Sequence, residues 1–74
     1  MNRSKRKKLS RAFDLISEAV EIIENVKDQE QEDMENLPDP FRNGDRGEEM
    51  QSFIEMMDEA LGYLLDANSV VEQI

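Results

Sequence analysis

The side chains able to do chemistry in this 74-residue chain are eighteen carboxylates, five serines, one tyrosine and nine basic groups, with no Cys and no His. A serine nucleophile needs an adjacent base, and none of Ser4, Ser10, Ser17, Ser52 or Ser69 has an evident one in the sequence. Paired carboxylates can act as general acid and base, but here the acids are spread along polar helix faces and nothing singles out a pair. Zinc sites built from Cys and His are excluded. So is the Glu-x-x-His di-iron pattern. Glu30, Glu32, Asp33 and Glu35, and the pair Asp39 and Asp45, lack the loop spacing of a calcium site. We therefore expect no enzyme, no catalytic residue, no metal and no cofactor.

The basic groups are the chain's most uneven feature. Arg3, Lys5, Arg6, Lys7, Lys8 and Arg11 all precede the first acid, Asp14. From Ala12 onward, eighteen acids face only Lys27, Arg42 and Arg46, a net −15. Such a basic arm on an acidic body has three uses: binding a phosphate backbone, contacting an acidic protein surface, or solvating the chain. The arm has no aromatic residue to stack on bases, and the acidic body repels nucleic acid. The protein-contacting and solvated readings therefore outweigh nucleic acid. The acidic surface also suggests a DNA mimic that occupies a host DNA-binding or defence protein. Solubility explains the same charge more simply.

These groups must be positioned by helices. Phe13, Ile16, Val20 and Ile23 recur at spacings of three, four and three, a heptad seam that continues in register through Lys27, Glu30, Met34 and Leu37. Beside it runs a second stripe through Ala12, Leu15, Ala19, Ile22 and Val26. The pattern predicts a helix over about residues 9–36, with residues 1–8 a disordered or fraying arm. Pro38 and Pro40 end it. Asn43-Gly44 is a turn signal, and Asp45 with Glu48 has the spacing of a capping box. The loop thus covers about residues 37–45. Phe41, at this tip with Arg42 and Arg46 nearby, either closes the end or anchors a partner, and closure is the expectation.

A second helix is expected over about residues 46–74. Met50, Phe53, Met57, Ala60, Leu64, Ala67, Val71 and Ile74 form its seam, with Met56, Tyr63 and Val70 on one flank and Ile54 and Leu61 on the other. Gly62 is placed on the outer face. Two helices of matched length joined by a short loop must lie antiparallel. The fold class is therefore all-α: a long antiparallel helical hairpin forming one domain over residues 9–74.

Both apolar faces are wider than a single partner helix covers, and a chain this small needs reinforcement that disulfides cannot supply. The economical solution is a symmetric homodimer, a four-helix bundle. Leu15, Ile22, Ile54, Leu61 and Tyr63 are the residues expected to be exposed in a monomer and buried by self-association. No apolar run approaches the length of a membrane span, and Asp14, Glu18, Glu21 and Glu24 interrupt any signal-peptide core. A membrane partner is not expected, and the absence of Cys fits a reducing cytoplasm.

The segments Phe13 to Glu24 (F-D-L-I-S-E-A-V-E-I-I-E), Asp28-Gln29-Glu30-Gln31-Glu32, Asn36-Leu37-Pro38 and Asp45-Arg46-Gly47-Glu48 resemble small uncharacterised proteins of phages and prophages of low-GC Gram-positive bacteria. That resemblance implies a setting, the cytoplasm of a bacterial host, and carries no activity. It makes an accessory factor that binds or inhibits a host protein the expected role. The basic arm is unlike the typical member and keeps nucleic-acid association open as the alternative.

Overall fold

The computed structural model describes every residue except Asn43, and Arg42 by its backbone alone. It is an elongated hairpin, 59 × 14 × 12 Å, built from α1 (Arg3–Glu35), a single-turn α2 (Asp39–Arg42) and α3 (Asp45–Glu72).

Helix α1 starts at Arg3, well ahead of the expected Leu9, and residues 3–8 form its first turns. The local reason is Asn2. Its backbone is extended and its side-chain oxygen accepts the Lys5 N–H at 2.8 Å, supplying a partner that the helix start otherwise lacks. Arg and Lys are good helix formers. At the other end the Asn36 N–H reaches Glu32 O at 3.0 Å before Pro38 breaks the chain.

The segment expected to be plain loop contains α2, held by Phe41 N–H on Pro38 O at 2.9 Å. Phe41 is 58% exposed, so it does not close the hairpin end as expected. The capping box is also corrected. Gly44, not Asp45, is the N-cap of α3 and makes no side-chain cap bond. A Cβ there would lie 3.3 Å from Pro40 O, which favours glycine. Asp45 and Glu48 instead occupy the first turn, where negative charge suits the helix dipole. Asn43, half of the expected turn signal, lies outside the described residues.

Contacts between α1 and α3 run in opposite chain directions: Arg6 reaches Ile74, Phe13 and Ser17 reach Asn68, and Lys27 reaches Asp58. The helices are therefore antiparallel. The α1 seam is the expected one, with Phe13, Ile16, Val20, Ile23, Lys27, Glu30, Met34 and Leu37 all turned inward. The α3 seam is not. Gly47, Met50, Ile54, Met57, Leu61, Leu64, Asn68 and Val71 face α1, while Phe53, Ala67 and Ile74 are exposed and Ala60 is half-buried.

This rotation has a physical cause. Both registers share Met50, Met57, Leu64 and Val71. They differ in whether Gly47, Ile54, Leu61 and Asn68 or Phe53, Ala60, Ala67 and Ile74 fill the remaining places. At the middle of the helix the observed register sets Leu61 rather than Ala60 against α1, which removes more apolar area from water. The consequence corrects the expected self-association set: Ile54 (5% exposed) and Leu61 (6%) are core residues of the hairpin and are not on its outside. With Val20 (8%) they are its only buried large apolar residues among those described. Among the described residues no side chain is fully buried, whereas eleven large apolar ones are exposed. Two helices alone make a thin core.

Candidate interaction surface

The two long sides of the hairpin differ in character. On one side lie the positions that follow seam residues: Ser17 and Glu24 on α1, Asp58 and Leu65 on α3. Here Lys27 Nζ bonds Asp58 Oδ1. Asn68 Nδ2 donates to Ser17 Oγ at 3.0 Å and to Phe13 O at 3.2 Å. A shallow groove runs along this side, lined by Glu24, Lys27, Asp28, Asp58, Leu61, Gly62 and Leu65. Apart from α3's own adjacent backbone, no described residue approaches within 4 Å of the place a Gly62 Cβ would take. The helices do not come closer there.

In an antiparallel pair these flanks share one side, so the positions preceding the seam residues share the other. From α1 that side receives Ala12, Leu15, Ala19, Ile22 and Val26. From α3 it receives Phe53, Met56, Ala60, Tyr63, Ala67, Val70 and Ile74. The cross-helix contacts align residues 12–26 of α1 with about residues 56–70 of α3, so the two stripes lie abreast and form one continuous face. No charged residue interrupts either stripe over these spans. Small alanines line its centre and large side chains its borders. Ile22 is 59% and Tyr63 67% exposed. The Tyr63 hydroxyl donates to Glu59 Oε1 at 3.0 Å, so the phenol's polar tip is satisfied at the rim while its ring stays on the face.

Of the five residues expected to mediate self-association, the structure brings Leu15, Ile22 and Tyr63 onto this face and withdraws Ile54 and Leu61 from it. Phe53 and Ile74, assigned to the α3 seam by the sequence pattern, join it. The signal that could have located them was Asn68. A heptad register through Gly47 and Asn68 is as regular as the one through Phe53 and Ala67, and Ser17 stands ready as the asparagine's partner.

The basic residues occupy one end. Arg6 Nη1 donates to Ile74 O at 3.0 Å, bridging the open end of the hairpin beside a groove lined by Leu9, Ser10, Phe13, Val71, Glu72 and Ile74. Arg3, Lys5, Lys7, Lys8 and Arg11 are exposed on the first turns of α1. Among the described residues none of the six makes an ion pair within the chain. Phe41 lies at the opposite end and is not brought near them.

Lys27 is the one cation inside the seam. The hydrogen bond it donates to Asp58 raises its pKa above the ordinary lysine value, partial burial opposes this, and the charges of Asp58, Asp28 and Glu24 add to the rise. Among the described residues no three acidic groups converge to hold a metal ion, and no described helix is long and apolar enough to cross a membrane. No protein-family model, curated protein or solved structure matches the chain.

Proposed function

We propose that this chain is a non-catalytic protein–protein interaction module that packs its apolar face against a second copy, giving a four-helix bundle. The observation that carries the reading is the sidedness of the hairpin. One side holds the polar and charged contacts, while the other presents Leu15, Ile22, Val26, Met56, Tyr63 and Val70 side by side to solvent. Exposed apolar patches that are continuous and rimmed by polar residues mark interaction sites. A two-helix core without a fully buried side chain also gains most from further burial. The resemblance to small phage and prophage proteins supports a bacterial cytoplasmic setting and a role as an accessory factor acting on a host protein.

Sedimentation equilibrium over a wide concentration range tests this reading. A dimer is expected, converted to monomer by Ile22→Asp. A wild-type chain that stays monomeric into the micromolar range, with unchanged helicity, overturns it.

A further inference from the structure

Resting on that reading, we infer that the two copies pack antiparallel, each placing the basic start of its α1 beside the acidic, loop-proximal half of the other. The apolar stripe of α1 is bounded by Lys5 and Lys8 on the terminal side and by Asp33 on the loop side. Its midpoint is Ala19, and Lys5 and Asp33 lie fourteen residues to either side of it. When two such faces meet about a twofold axis perpendicular to the rods, α1 lies over α1 and α3 over α3. An axis at Ala19 then sets Lys5 of one copy opposite Asp33 of the other. The same axis passes close to Tyr63 of α3, because Ala19 and Tyr63 lie at about the same height in the hairpin. Both stripes are then covered along their whole length.

A parallel dimer covers the stripes equally well but reverses the electrostatics. Its axis runs along the rods and lays α1 over α3 of the second copy. That arrangement gathers both basic ends together and sets Asp33 beside Glu49, at the acidic start of α3. Charge therefore selects between two arrangements that apolar burial does not distinguish.

A second observation points the same way. Helix dipoles favour acids at the N-terminus and bases at the C-terminus. Helix α1 has neither: no acid in its first turn, no base in its last, and the opposite charges crowded at both ends. This arrangement costs the isolated helix, and the basic end finds no ion pair within the chain among the described residues. An antiparallel second copy supplies the missing counter-charge at each end.

The absence of cysteine makes the test direct. Ser4, Glu18 and Glu32 share one exposed helical position, fourteen residues apart. Each is replaced singly by Cys in the full chain and carries a nitroxide, and distances between copies are measured by pulsed electron resonance. The antiparallel dimer places the Glu18→Cys labels closest, with Ser4→Cys and Glu32→Cys each separated by about 40 Å at 1.5 Å per residue. Three equal distances overturn the antiparallel arrangement and leave self-association standing. No distance signal at all, with a monomer in sedimentation, removes the reading on which it rests.

A charge reversal gives an independent readout. Lys5→Glu with Lys8→Glu is expected to weaken the dimer roughly tenfold at low salt, since several exposed pairs of a few tenths of a kcal/mol each are lost. Adding Glu32→Lys and Asp33→Lys restores it. A dimer indifferent to the reversal, with salt-sensitive binding of a DNA duplex lost instead, assigns the basic end to nucleic acid and overturns the inference.

Discussion

Asn68 Nδ2 donates to Ser17 Oγ at 3.0 Å, linking the one strongly polar residue in the α3 seam to the flank of α1. The same nitrogen donates to Phe13 O at 3.2 Å. Asn68 is 7% exposed, and its Oδ1 has no partner among the described residues. A buried, half-satisfied amide lowers stability but disfavours axial alignments that set no hydroxyl opposite it. Polar seam residues in coiled coils fix register in this way. Sliding α3 by one heptad towards the loop end of α1 would set Asn68 against Val20 and Glu24, where no hydroxyl stands, while the opposite slide would set it against Arg6 and Ser10, a carbonyl and a hydroxyl again.

Two substitutions separate the cost of Asn68 from its use. Ser17→Ala removes one acceptor and is expected to lower stability by about 1 kcal/mol. Asn68→Leu removes the partnerless oxygen and extends the apolar seam, so it is expected to raise stability by about 1 kcal/mol while loosening the alignment. Urea unfolding reports the first effect and the number of amide resonance sets the second. A destabilised Asn68→Leu chain with one sharp resonance set would show that the asparagine contributes bonding and not register.

Lys27 predicts an alkaline limit. Its pKa is raised in the folded chain, chiefly by the Asp58 hydrogen bond. A raised folded value means that the pair's contribution is fully present below the unfolded lysine value, 10.5. It is lost as pH rises through the folded value. The wild type should therefore lose stability above pH 10.5 relative to Lys27→Leu, which keeps the seam filled but carries no charge. Urea midpoints of both chains, compared at neutral pH and above 10.5, check this. A constant difference across that range would show that the pair contributes nothing to folding.

The hairpin was legible in the sequence because its determinants are local: two long amphipathic periods, prolines between them, and lengths that match. The α1 seam was legible for the same reason, since Phe13, Ile16, Val20 and Ile23 are all large whereas the stripe beside it is thinned by Ala12 and Ala19. The α3 seam was not. Two registers share four residues, and choosing between them requires comparing Gly47, Ile54, Leu61 and Asn68 with Phe53, Ala60, Ala67 and Ile74 against the facing helix. Recognising Asn68 as tolerable inside also requires knowing that Ser17 stands opposite. The apolar face followed from that choice, which is why Leu15, Ile22 and Tyr63 were found and Ile54 and Leu61 were misplaced. Helicity in residues 3–8 depended on a cap, Asn2, inside a segment whose like charges argued for disorder.

Gly62 within α3 and Gly44 at its N-cap should respond differently to an added methyl group. Gly62 sits mid-helix with open space where a Cβ would go. Gly62→Ala is therefore expected to stabilise by about 0.5–1 kcal/mol through propensity and reduced unfolded-state freedom. At Gly44 the added Cβ meets backbone, Pro40 O at 3.3 Å. Gly44→Ala is expected to be neutral or destabilising, since alanine is also a poorer N-cap than glycine. Thermal unfolding of both variants at one fixed concentration distinguishes them. A loss of stability in Gly62→Ala would mean that the polar side is closely covered in solution.

The rotated α3 seam yields the sharpest contrast, between neighbours two residues apart. Leu61 lies inside the hairpin and Tyr63 on its apolar face. Leu61→Ala opens a cavity between α1 and α3 and is expected to cost about 2–3 kcal/mol, the lower part of the range for a core leucine. Because it strikes the hairpin itself, its loss of helicity should persist at every protein concentration. Tyr63→Ala deletes no intrachain packing of comparable depth, so the hairpin should remain helical while the dimer dissociates at lower dilution. Circular dichroism and sedimentation on the same samples give the two readouts. The reverse pattern, with Leu61→Ala affecting only association and Tyr63→Ala only folding, would restore the seam through Phe53, Ala60 and Ala67.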